Sequence, residues 1–201
     1  MSKTFIYLIG FPGSGKFTIA RKLSEIINVV IVSNNLFNNV IFNVVKLPNA
    51  EVSDDLWEKI FAVRENMLAV LGKHHIKSKH YIFTNELIDG DSYDQRVYSS
   101  MVNLGEKMGV EILPVVLHCN NEELIKRVES KERYQEGKIT DSDFAIKRTR
   151  EKRLFVPEGS LEIDNSNLSA KEVAERIVKR MNNGEKLVKT SVNNLIKRTR
   201  G

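Results

Sequence analysis

The sequence predicts an α/β fold, a five-stranded parallel sheet covered by helices on both faces. Three observations predict it. Short β-branched and aromatic runs alternate with segments whose apolar residues recur at three and four. Turn-forming residues punctuate the alternation, and that order of elements argues for parallel strands joined by helical crossovers. A chain of 201 residues, 41% of them hydrophobic, is long enough to bury the core such a sheet requires.

Residues 3–9 (KTFIYLI) form the first expected strand, and residues 10–15 are turn chemistry. From Lys16, the residues Ile19, Ala20, Leu23, Ile26 and Ile27 mark a helix. Residues 29–32 are a second apolar run, 34–43 a mixed helical segment and 47–52 a loop around Pro48. Ser53 is placed to cap a helix, with Asp54 and Asp55 in the first turn where the helix dipole favours them. Trp57, Ile60, Phe61, Met67, Leu68 and Leu71 form its apolar stripe. A third strand spans 81–84, and a helix starts at Asp91 and ends before Gly109. A fourth strand covers 110–117, and a short helix runs from Asn121 to about Glu129. Residues 130–140 are a charged loop, Asp141 opens another helix, 161–163 is a short fifth strand and Ser169 begins the last helix. The similar heptamers AIKRTRE (145–151) and LIKRTRG (195–201) are too short to indicate duplication.

The chain carries 31 basic and 26 acidic side chains, a net +5. Location matters more than the sum. Lys186, Lys189, Lys197, Arg198 and Arg200 face one acid, Glu185, in the last 21 residues, whereas residues 1–180 hold 26 basic and 25 acidic groups. The expected organisation is therefore a nearly neutral domain over 1–181 and a basic tail over 182–201. No apolar run reaches the roughly 18–20 residues of a membrane span, and the first residues show no cleavable leader pattern. Cys119 is the one cysteine, so no internal disulfide forms and a reducing, cytoplasmic setting is expected.

The segment GFPGSGK (10–16) follows a strand and precedes a helix, the context that makes G-x-x-x-x-G-K specific for phosphate. Its glycines let successive backbone N–H groups converge on phosphate oxygens. The helix N-terminus adds its dipole, and Lys16 reaches the outer phosphates. Gly13, Ser14, Gly15, Lys16, Phe17 and Thr18 are the expected nucleotide contacts. The motif asks for Ser or Thr after the lysine, and here stands Phe17, followed by Thr18. Either Thr18 and water support Mg²⁺, or the aromatic ring perturbs metal and nucleotide binding.

GFPGSGKFTIARKL resembles the first motif of the P-loop small-molecule kinases, the group of shikimate, gluconate and adenylate kinases. IDNSNLSAKEVAERIV (163–178) is similar to the ending of those enzymes. FTNEL (83–87), PVVLHCNNEELIKRV (114–128) and ERYQEGKITD (132–141) are similar to a shikimate-kinase-like branch of AAA ATPases. The resemblance covers about residues 3–181. It implies a three-layer P-loop NTPase fold of the nucleoside-phosphate-kinase type, with ATP and Mg²⁺ as cofactors. It also implies a lid at about 130–140 and an acceptor region at about 34–64. Residues 126–153 hold ten basic and six acidic groups, and Arg127 and Arg133 match the lid arginines by position, with Lys138 a third candidate. Asp164 and Asn165 match a segment beside the adenine.

Arg64 lies on the apolar stripe of its own helix, seven residues from both Trp57 and Leu71. Such an arginine snorkels, pairs or faces a cleft; in the resembling enzymes an arginine there binds the acceptor's anionic group. Those enzymes place Asp at the end of the second strand, where this chain has Ser33, Asn34 and Asn35. Asparagine hydrogen-bonds a substrate but takes no proton at neutral pH. The third strand ends at Thr84, Asn85 and Glu86, and strand C-termini face the ligand crevice. Glu86 is thus a candidate base or metal contact and Asn85 a positioner, with Asp89 and Asp91 expected to cap a helix. His74, His75 and His80 are expected to be solvated, and His118 and Cys119 to sit in the core.

Three functions compete. The first is an ATP-dependent kinase of a small polar metabolite, with Lys16, Arg127, Arg133 and Glu86 catalytic and Asn34, Asn35, Arg64 and Asn85 holding the acceptor. The second is a nucleotide-binding or weak ATPase module with a degenerate site. The third is a P-loop protein acting on nucleic acid through the basic tail. No membrane partner is expected.

Overall fold

A computed structural model describes residues 3–45, 52–76, 79–130 and 140–182. Five strands, β1 (Thr4–Ile9), β2 (Val29–Ser33), β3 (His80–Asn85), β4 (Glu111–His118) and β5 (Leu161–Asp164), form one sheet in the order β2-β3-β1-β4-β5. All pairings are parallel, with Ile9 beside both Asn85 and Val116. The helices are α1 (Lys16–Ile26), α2 (Asn35–Val45), α3 (Asp54–His74), α4 (Ser92–Met108), α5 (Asn121–Val128), α6 (Ser142–Glu151) and α7 (Ala170–Asn182). The expected five-stranded parallel sheet with crossover helices is the observed one.

Strand alternation divides the core. Phe5, Tyr7 and Ile9 of β1 point into one cluster with α3 and α4, where Ile60, Leu68, Tyr98 and Met101 meet them. Ile6 and Leu8 point into the other, against Ile19, Ala20 and Leu23 of α1 and Val173, Ala174 and Ile177 of α7. The N-caps follow the sequence. Ser53 Oγ accepts from Leu56 N, and Asp91 Oδ1 accepts from Asp94 N at 3.0 Å. Asn120 caps α5, Asp141 caps α6, and Gly109 ends α4 with a φ of 62°.

Three expectations change. His80 is not solvated: its Nδ1 accepts from Thr4 N at 3.2 Å, and burial lowers its pKa. His118 and Cys119 are not core residues. His118 is partly exposed at the end of β4, with Nε2 2.9 Å from Glu162, and Cys119 is half-buried. α2 runs to Val45 and leaves Leu36, Val40 and Val44 exposed. The loop around Pro48 lies outside the described residues apart from Val52.

The chain after α6 returns across the sheet end. Asp89 N donates to Arg153 O and Phe155 N donates to Leu87 O, both at 2.9 Å, so residues 153–155 clasp the β3–α4 loop in an antiparallel bridge. The C-terminal ends of β1, β2 and β3 thereby open onto one cavity.

Candidate active site

The loop between β1 and α1 is shaped for close approach. Gly13 and Gly15 have φ of 88° and 85°, the left-handed region that favours glycine. A Cβ at Gly13 would also meet Val128 Cγ2 at 2.6 Å. Lys16 Nζ curls over the loop and donates to Gly10 O and Phe11 O, the latter at 2.9 Å. Ser14 is buried, and its carbonyl accepts from Asn165 Nδ2 at 2.8 Å. Asn165 in turn is held by Arg127, whose Nη1 reaches its side-chain oxygen at 3.1 Å and whose Nη2 reaches its backbone oxygen at 2.9 Å. Arg127 Nε binds Glu123 at 2.9 Å.

Gly13, Gly15 and Lys16 form one end of a cavity of about 1050 Å³, enough for two small ligands side by side. Its other end is built from β2, α3, β3 and α4, and includes Asn34, Asn35, Arg64, Asn85 and Glu86. Arg64 is buried beneath it. The guanidinium donates to Asn34 Oδ1 and stacks 4.3 Å from the Phe37 ring centroid. Arg64 Nε has no hydrogen-bond partner, and among the described residues no carboxylate pairs with this arginine. Asn85 is buried and donates to Tyr7 Oη at 3.0 Å; burial pushes the Tyr7 phenol up to about 12. Glu86 accepts from Arg148 Nε at 2.8 Å, so α6 brings a cation to the cavity wall.

The structure therefore gathers Gly13, Gly15, Lys16, Phe17, Asn34, Asn35, Arg64, Asn85 and Glu86 around one space. It does not bring in Thr18, which is exposed on α1 and absent from the cavity lining. Asp164 is exposed at the end of β5 and accepts from Ser166 N and Oγ, which hold its pKa below the usual carboxylate value. Arg127 lies on the outer side of the loop beside Asn165. Arg133 and Lys138 lie outside the described residues.

Four further residues line the cavity without a local sequence motif to mark them. Tyr93 sits 5.4 Å from Trp57 and 6.0 Å from Phe61, ring to ring, and makes the aromatic wall. Arg96 grips Glu58 with two hydrogen bonds of 2.6 and 2.9 Å at the cavity mouth. Arg148 counts in the sequence only as lid charge. Asp94 lies in the first turn of α4, where an acid is read as a dipole partner. Burial, with Asp91 and Glu86 nearby, pushes the Asp94 carboxyl up to about 7.

The family model described as AAA domain matches residues 6–153. No curated protein matches the chain. A sugar kinase structure from Janibacter sp. HTCC2649 is similar at 14% identity, with a TM-score of 0.62, 89% of this chain and 94% of that one. A gluconokinase from Sinorhizobium meliloti 1021 is similar at 16% identity and a TM-score of 0.51, covering 91% and 98%. A shikimate kinase from Acinetobacter baumannii in complex with shikimate is similar at 15% identity and a TM-score of 0.52, covering 92% and 96%. At these identities the likeness is one of fold.

Proposed function

The chain belongs to the AAA domain family, and from that premise we propose that it is an ATP-dependent phosphotransferase acting on a small, hydroxylated, anionic metabolite. One observation carries the reading: a single cavity holds the Lys16 phosphate loop at one end and, at the other, the buried Arg64, which no carboxylate among the described residues pairs with. A cation taken out of water with no carboxylate beside it is costly unless a ligand supplies the charge. Arg64, with Asn34, Asn35 and Asn85 around it, is suited to an acceptor bearing an anionic group.

Phosphoryl transfer is mainly positioning and charge neutralisation. The triphosphate lies along the loop from Gly13 to Lys16, and Lys16 exchanges the carbonyls of Gly10 and Phe11 for phosphate oxygens. Arg127 acts through Asn165 to hold the Ser14 carbonyl and thus the loop shape. Arg148, oriented by Glu86, adds positive charge from the lid side. A magnesium ion would be carried in on the triphosphate with its waters. Among the described residues, no three acidic, histidine or cysteine groups converge as a metal cage, and Thr18 points away. Such an ion would neutralise charge on the β- and γ-phosphates.

Lys16→Ala tests the nucleotide site. ATP is expected to raise the melting temperature of the parent and not of the variant; equal shifts would remove the assignment. A pooled screen of hydroxy acids and sugar phosphates with ATP, read by mass spectrometry, is expected to yield a phosphorylated acid. A second reading, a nucleotide-binding module with little transfer chemistry, is favoured by Phe17, which takes the hydroxyl position and lines the cavity. It predicts ATP binding with no product from any acceptor.

A further inference from the structure

We propose that Asp94 accepts the acceptor's proton during phosphoryl transfer, in a site whose second strand ends in asparagines. The inference rests on the kinase reading above. The β3–α4 loop folds so that Ile88 N donates to Asp94 Oδ2 at 2.8 Å. The other oxygen, Oδ1, accepts no hydrogen bond among the described residues, and Asp94 lines the cavity that also holds Lys16, Arg64 and Asn85. Of the other carboxylates on the cavity, Asp54 is exposed to solvent in the first turn of α3 and three are engaged elsewhere. Glu86 is bound to Arg148 and Glu58 to Arg96, and Asp91 caps the Asp94 amide. Asp94 has no cation within ion-pair distance among the described residues.

The groups facing it come from every packed element. Glu86 and Asp91 lie on its own loop, Arg148 on α6, and the phenols Tyr7 and Tyr93 beside it. Both phenols are shifted upward by burial and stay protonated. Burial, helped by the two neighbouring carboxylates, outweighs the Ile88 N–H hydrogen bond and Arg148, and pushes the Asp94 carboxyl up to about 7, where a general base works best. In the step, the acceptor hydroxyl oxygen bonds to the γ-phosphorus as its proton passes to Asp94 Oδ1. The bond from the γ-phosphorus to the bridging oxygen breaks, and ADP leaves with that electron pair. Asp94 returns the proton to solvent as the products depart.

Asp94→Asn keeps an oxygen for the Ile88 N–H, so the loop stays capped while the base is removed. The experiment measures ATP binding by calorimetry for parent, Asp94→Asn and Lys16→Ala. It then measures ATP turnover from pH 5 to 9, with water and with the hydroxy-acid panel as acceptors. The expected result is unchanged ATP affinity in Asp94→Asn, a kcat at least about 100-fold lower, and loss of the rising limb that the parent shows near pH 7. A variant within twofold of the parent, or one with the parent's pH profile, overturns the role of Asp94 alone. Parent protein that binds ATP but transfers phosphate to none of these acceptors, water included, also overturns it. Failure of the parent to bind ATP overturns the kinase reading itself. Carboxyl carbon NMR on the parent gives a second measurement: a midpoint near 7 supports the assignment, and one near 4 overturns it.

Discussion

Arg64 is buried with its guanidinium on Asn34 Oδ1 and over the Phe37 ring, with no described carboxylate to balance it. Its place on the apolar stripe made it legible, because a cation at a core position of a helix has to be explained. Arg64→Met removes the desolvation cost at similar volume. The variant is expected to melt at or above the parent's temperature, since such replacements are often neutral or stabilising by about 1–4 kcal/mol. The same change is expected to raise the acceptor KM more than tenfold with ATP affinity unchanged; an unaltered KM would separate Arg64 from recognition. Asp94 was not legible. An acid in a first helical turn has an ordinary explanation, and its burial depends on a loop folding back from β3. Its pKa gives a signed stability test. The unfolded chain loses this proton near 3.9, whereas the native state keeps it to about 7. The contribution is therefore present below about pH 4 and fades as pH rises to about 7. Urea unfolding of parent and Asp94→Asn should show the parent's relative stability falling across that window and levelling above it. A flat difference would place the carboxylate in water, and one that grows with pH would mean that the native state stabilises its charged form; either would overturn the upward shift.

At the scale of elements, what is local in sequence proved readable and what is long-range did not. Ser53, Asp91 and Asp141 each cap a helix through a side chain within three residues of its target, so the local sequence carries the signal, and Asn120 caps α5 just before the expected start at Asn121. The phosphate loop is readable for the same reason: its glycines and Lys16 sit within seven residues. The clasp of residues 153–155 on the β3–α4 loop joins segments more than sixty residues apart, and neither strand is long enough to show alternation. That clasp holds the loop whose Ile88 N–H fixes Asp94. Phe155→Pro removes the donor to Leu87 O. It is expected to cost about 1–3 kcal/mol and, by admitting water, to move the acid limb of the rate profile from about 7 toward the usual carboxylate range. Chemical denaturation reads the first effect and the pH–rate profile the second. A destabilised variant with an unmoved limb would mean that the clasp supports the fold without tuning the base.

For the whole molecule, the sheet order puts β1 at the centre, and chain crossovers on either side leave the cavity at its C-terminal end. The described fold closes with α7, which packs Val173, Ala174 and Ile177 against α1 and the sheet. No described helix is long and apolar enough to cross a membrane. Charge is divided along the chain: residues 1–180 are nearly balanced, and the five tail cations account for most of the +5. If the phosphate loop is the functional target of basicity, the two parts separate. A chain ending at residue 182 is expected to keep the full ATP-induced rise in melting temperature, because stabilisation depends only on ligand concentration and affinity for the native state. The same truncation is expected to lower the salt concentration at which the protein leaves a heparin column. With five cations removed, the salt dependence of polyanion binding can fall by no more than about 4.5 in log–log slope. Loss of ATP stabilisation on truncation would instead assign residues 183–201 to the site. An unchanged elution would locate the operative positive charge in residues 126–153, where ten basic groups outnumber six acids and Arg148 already reaches the cavity.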